Sequence, residues 1–126
     1  MKQLVYSLII VILIIAVGIL TIEMLKRESE SLHNLFTEIE NSIYFDEWEK
    51  AKHIVKETQN QWDKYKKIWP MLIDHLEIDN VTVRLSELQA YILNQDKTES
   101  LSKLAALKVL IKHIPEKESF IIQNIL

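Results

Sequence analysis
From Leu4 to Ile22 the chain reads LVYSLIIVILIIAVGILTI, nineteen positions without a charge. From Glu23 onward it is polar, with apolar residues spaced three and four apart. The first pattern is that of a membrane span. A bilayer core of about 30 Å takes roughly 20 apolar residues as a helix, which satisfies its own backbone groups in lipid. The many β-branched residues cost helix propensity in water, but in lipid the alternative is unpaired backbone. A secretory signal has a shorter apolar region, of about 7–15 residues, and small residues at a cleavage site. Thr21-Ile22-Glu23-Met24-Leu25 offers no such pair, so an uncleaved anchor is expected over a cleaved signal.

Beyond the span the stripes predict helices. Leu25, Leu32, Phe36, Ile39 and Ile43 extend the membrane helix to about residue 43, and Ile43-Tyr44-Phe45-Asp46 is a break. Asp46, with Glu49 three positions on, is expected to cap the next helix. Trp48, Ala51, Val55, Thr58, Trp62, Tyr65 and Trp69 then make an a/d seam of coiled-coil type, which Pro70 ends. Val81, Leu85, Leu88 and Ile92 form another stripe, with Leu72 and Leu76 off its phase, so a restart is expected around Ile78-Asp79-Asn80. Asn94-Gln95-Asp96 is a turn, with Asp96 and Glu99 a second capping pair. Leu101, Leu104, Leu107, Ile111 and Ile114 make the last stripe. Pro115 is expected to reset the chain before an apolar tail of Phe120, Ile121, Ile125 and Leu126.

The fold class that follows is all-α: an N-terminal transmembrane helix and a small antiparallel helical bundle. Residues 1–3 are a short tail, 4–22 the anchor and 23–126 the bundle. One Gly and two Pro in 126 residues favour long helices over sheet turns or phosphate-cradling loops. Orientation rests on competing rules. Lys26 and Arg27 after the span favour a cytoplasmic C-terminal part. The three-residue leader and the freedom of long domains to translocate favour the opposite. We expect the second arrangement, at the cell membrane with the C-terminal domain extracytoplasmic.

Charge and chemistry narrow the function. There are 15 basic and 18 acidic residues, a net of −3, and no clustered basic face of the kind nucleic acid requires. There is no Cys, no G-x-S-x-G elbow and no Gly-rich phosphate loop, so no enzyme and no cofactor is expected.

Two constellations remain. The aromatic seam is either helix–helix packing or, through Trp48, Trp62, Tyr65 and Trp69, a partner-binding surface. In the second, His75, Asp79, His113 and Glu116 would converge if residues 94–97 make a hairpin, because Asp79 and His113 are equally far from Asp96. Two imidazoles and carboxylates suit Zn²⁺ or a similar ion, although ion pairs and caps would use the same residues. His53 and Glu57, with Glu49 a turn back, read as a solvated ladder.

Trp69-Pro70, Asp74-His75-Leu76-Glu77-Ile78-Asp79-Asn80, Tyr91 and His113-Ile114-Pro115-Glu116-Lys117-Glu118 carry a resemblance. In this order, with the N-terminal span, they resemble an uncharacterised domain-of-unknown-function family of short proteins from clostridia and related spore-forming Firmicutes. The resemblance implies an N-terminally anchored helical protein without an assigned activity. Leu76 stands where the family pattern implies a more polar residue. The expected partners are therefore the lipid bilayer and either a membrane protein or a second copy of the chain. The expected function is non-enzymatic binding at the membrane surface, with a metal- or ligand-sensing module as the alternative.

Overall fold
The computed structural model describes residues 1–125; Leu126 and the side chain of Ile125, both in the apolar tail, lie outside the described residues. The elements are α1 (Lys2–Tyr44), α2 (Trp48–Tyr65), a 3-10 turn (Trp69–Met71), α3 (His75–Leu93) and α4 (Lys97–Ile125). Helix α1 packs on α2 and α4, and α3 closes the ring by packing on the same two. This is an antiparallel four-helix bundle with short connections, one helix of which extends far beyond the others.

Helix α1 is 43 residues long without interruption, about 65 Å at 1.5 Å per residue. Its two halves are covered differently. The apolar window at its N-terminal end is almost entirely uncovered, and among the described helices it is the one long and apolar enough to cross a membrane. From Ile22 on, one face sinks into the bundle through Leu25, Ser29, Leu32, Phe36, Ile39 and Ile43. The core is completed by Trp62 and Trp69, by Leu85, Leu88 and Ile92 of α3, and by Leu104, Leu107 and Ile111 of α4.

Two helix ends use the same device, and neither has glycine. At the end of α1, Glu47 N–H donates to Ser42 O at 2.8 Å and Asp46 N–H to Ile43 O at 3.0 Å, with Asp46 at φ 55°. At the end of α3, Asp96 N–H donates to Tyr91 O at 2.9 Å and Gln95 N–H to Ile92 O at 3.0 Å, with Gln95 at φ 55°. These are Schellman closures with a left-handed residue at C′, a place usually given to Gly. The chain's single glycine is Gly18, inside the apolar run.

Several sequence expectations change in detail. Asp46 closes α1 instead of capping α2; its carboxylate lies 3.2 Å from Lys97 Nζ, and the N-cap of α2 is Glu47. Helix α2 ends at Tyr65, before Trp69. Pro70 has no N–H for the Lys66 carbonyl and crowds it, so the turn ahead of Pro70 unwinds. Helix α3 restarts at Asp74, earlier than Ile78, because the Asp74 carboxylate accepts from Leu76 N–H at 2.9 Å and caps the helix there. Asp96 does cap α4, accepting from Glu99 N–H at 3.1 Å.

Pro115 does not reset the chain, since α4 runs through it to Ile125. The residues after it, Glu116-Lys117-Glu118, are helix formers with no N-cap type to restart a helix. Ile114 and Pro115 are themselves buried, so packing holds the proline inside the helix.

Candidate functional site
The aromatic seam is interior. Trp62 is 2% exposed, Tyr65 9% and Trp69 0%, and the half-buried Trp48 packs against the same core. Trp69 stands edge-on to Trp62 with ring centroids 5.3 Å apart, and it stacks on Tyr65 at 5.7 Å. Each indole N–H is satisfied inside the fold. Trp62 Nε1 donates to Thr82 Oγ1 at 3.0 Å, and that hydroxyl donates on to Ile78 O. Trp69 Nε1 donates to the half-buried Glu28 carboxylate of α1. Trp62, Tyr65 and Trp69 therefore hold α1, α2 and α3 together and present no open surface to a partner, because the space in front of them is already filled.

The histidine and carboxylate residues behave differently. Residues 94–96 are a hairpin turn and α3 and α4 run antiparallel, so the levels follow the count from Asp96. The faces do not. His75, Asp79, His113 and Glu116 are all exposed. The positions where α3 meets α4 are held by Glu87 with Lys103 at 2.7 Å and by Glu77 with Lys117 at 3.3 Å. Among the described residues no group of three His, Cys, Asp or Glu side chains comes together to hold a metal ion. Equal distance from a turn sets height along a helix pair, whereas azimuth is set by the apolar stripe. That stripe turns Ile78 and Ile114 inward and carries their neighbours outward. His53 does form the exposed ladder, 3.0 Å from Glu57.

Two features were not anticipated from the sequence. One is a groove of about 410 Å³ between α1 and α4, just beyond the end of the apolar run, floored by Ile111 and Pro115 and rimmed by Lys26, His33, Lys112 and Glu116. Ser29 lines it, 4% exposed, its hydroxyl buried with no hydrogen-bond partner. Ser29 falls in phase with Leu25 and Leu32, so a polar residue in an apolar stripe is the signal that could have found the groove. The other is an acidic pair where α3 begins and α4 descends. Burial, and then the Glu77 charge, raises the Glu118 carboxyl above its ordinary pKa, with Lys117 acting in the opposite sense.

Exposed apolar side chains of the bundle occur at Ile68, Met71 and Leu76 around the α2–α3 connection, at Val83 and Val109 on the sides of α3 and α4, and at Phe120 and Ile121 near the end of α4. At the end of the bundle far from the apolar run, Tyr44, Phe45 and Leu93 are 59%, 75% and 60% exposed. Lys97 Nζ brings the two turns together, reaching Tyr44 O at 3.3 Å as well as Asp46.

The model of a family described as a domain of unknown function (DUF4363) matches residues 19–125, and the chain belongs to that family. The match takes in the last turn of the apolar run and all of the bundle. No curated protein and no solved structure matches the chain.

Proposed function
We propose that this member of the family is a non-enzymatic, single-pass membrane protein that presents its helical bundle to a protein partner at the membrane surface. One observation carries the reading: the uncovered apolar run and the central strut of the bundle are the same unbroken helix, α1. No linker separates them, so the bundle takes its tilt and height from the span. The first 19 charge-free positions supply the length a bilayer requires. Tyr44 lies 22 residues beyond Ile22, about 33 Å along the helix.

With the tryptophans committed to the core, the surface best suited to a partner is the distal end bearing Tyr44, Phe45 and Leu93. All three are exposed at the two turns that Lys97 brings together, and apolar side chains gathered at one end mark an interaction surface. The partner is a membrane protein or a second copy of the chain. The reading includes an extracytoplasmic bundle, a cytoplasmic N-terminus and an origin in a spore-forming Firmicute.

The test has two arms. Replacing Ile12 and Ile15 by Arg places two charges at mid-span, each costing about 2.5–3.5 kcal/mol on insertion scales. That variant should leave the membrane fraction on alkaline washing, and its retention would overturn the anchor. A photo-crosslinking residue at Phe45 of the full chain in membranes should give a discrete adduct, with a copy of itself or with a second protein. The same residue at Val83, exposed on the side of α3, should give none. Equal, diffuse labelling at both positions would sink the distal surface.

A further inference from the structure
The lower end of α4 does not stop where the apolar run begins. A Cβ built on Gly18 would lie 3.5 Å from Ile122 Cδ1, which is ordinary van der Waals contact. Ser119 and Ile122 share a cleft with Ile19, Ile22, Glu23 and Lys26 of α1. The last turns of α4 therefore run antiparallel to α1 and overlap the end of the charge-free segment. Gly18 is four residues inside that end, about 6 Å along the helix axis.

We infer that the end of α4 enters the same bilayer leaflet that α1 crosses, with Phe120 and Ile121 in contact with lipid at the boundary of headgroups and acyl chains. The inference rests on the anchor reading. If α1 crosses a membrane at Leu4–Ile22, the level of Gly18 is within the apolar layer, and whatever touches Gly18 from outside is there too. The sequence of α4 divides at the matching height. Glu116, Lys117 and Glu118 come first, and Phe120, Ile121 and Ile122 follow.

Ile122 is half-buried against α1, whereas Phe120 and Ile121 are 65% and 40% exposed, with nothing in the bundle to cover them. Ile122, at the level of Gly18, is about 6 Å inside the run, and Ile121 and Phe120 lie about 1.5 and 3 Å nearer its end, at the boundary layer itself. Gln123 lines the same cleft, whose upper end holds Glu23 and Lys26 beyond the apolar run. The occupant of this face is lipid, by continuity with the uncovered face of α1. The bundle then has two attachments to one leaflet, which removes its freedom to swivel about the α1 axis.

The chain has no cysteine, so single cysteines can be introduced and spin-labelled. The full chain would be reconstituted in vesicles of phosphatidylcholine and phosphatidylglycerol. Collision of the label with oxygen would be compared with its collision with a water-soluble nickel chelate. Labels at Phe120→Cys and Ile121→Cys should show an oxygen-to-chelate ratio several-fold above that at Val83→Cys and close to that at Leu20→Cys. The ratio at Ile12→Cys should be higher still. If positions 120 and 121 match Val83 while Ile12 is in lipid, the inference fails and the anchor stands. If Ile12 itself collides freely with the chelate, the anchor reading fails and takes the inference with it.

Discussion

The indole of Trp69 donates its hydrogen bond to the carboxylate of Glu28, joining the turn before α3 to α1 six residues past the end of the apolar run. It ties α1 to the α2–α3 connection through a charged acceptor. Hydrogen bonds to charged groups contribute about 1.5–3 kcal/mol, and a partner left unsatisfied costs its desolvation. Trp69→Phe keeps most of the aromatic packing and should lower stability by about that amount. Glu28→Gln leaves an acceptor and should cost less. Urea unfolding of the full chain in detergent checks the order, and no loss from either substitution would show that packing alone carries the contact.

Trp62 tests the assignment of the seam to the core. Trp62→Ala removes a buried indole between α2 and α3 and orphans the Thr82 hydroxyl as an acceptor, so a loss of about 3–5 kcal/mol is expected. That is a large share of a small domain's stability. A melting temperature close to that of the parent chain would mean that Trp62 serves recognition instead.

Gln95 and Asp46 hold left-handed backbone without being glycine. The left-handed conformation costs a side-chain-bearing residue roughly 1–2 kcal/mol, offset in part by the chain entropy glycine loses on folding, about 0.5–1 kcal/mol. Gln95→Gly should therefore stabilise the bundle by about 0.5–1 kcal/mol. Asp46→Gly should gain less, because it also removes the carboxylate paired with Lys97. Equal gains at both positions would mean that the pair with Lys97 contributes nothing.

The helices were readable from the sequence because apolar spacing of three and four is imposed by burial itself. Leu32, Phe36, Ile39 and Ile43, or Leu104, Leu107 and Ile111, have no other reason to recur as they do, and all are in the core. The turn at Asp96 was readable because a carboxylate three residues before Glu99 suits an N-cap, and there it accepts from Glu99 N–H. Asp46 carries the same local pattern yet closes the preceding helix, because it falls on the left-handed residue of its Schellman turn, whereas Asp96 falls one position later, where it serves the turn and the N-cap together. Pro115 misleads for a related reason: the rule that proline breaks helices is local, while the face of α1 that holds α4 is not. The proposed metal site failed on azimuth. His75→Ala and His113→Ala, both on the surface, should each change stability by less than about 0.5 kcal/mol, with or without added Zn²⁺. A zinc-dependent rise in melting temperature that either variant abolishes would restore the metal reading.

Glu118 gives the bundle a pH dependence at its lower end. Burial, then the nearby Glu77 charge, raises its carboxyl pKa in the folded chain, with Lys117 only partly compensating. A raised carboxyl pKa means that the folded state binds the proton more tightly than the unfolded state. The stabilisation from this group is then fully present below the unfolded value, near 4.3, and is lost as pH rises through the folded value. This is the reverse of an ion-paired carboxylate, whose contribution disappears on acidification. Glu118→Gln keeps the size of the side chain and removes the titration. The variant should be at least as stable as the parent at neutral pH, and the gap should close as pH falls toward 4. Stability curves of the two chains that stay parallel across that range would mean that the Glu118 carboxyl is fully hydrated and that Glu77 does not act on it.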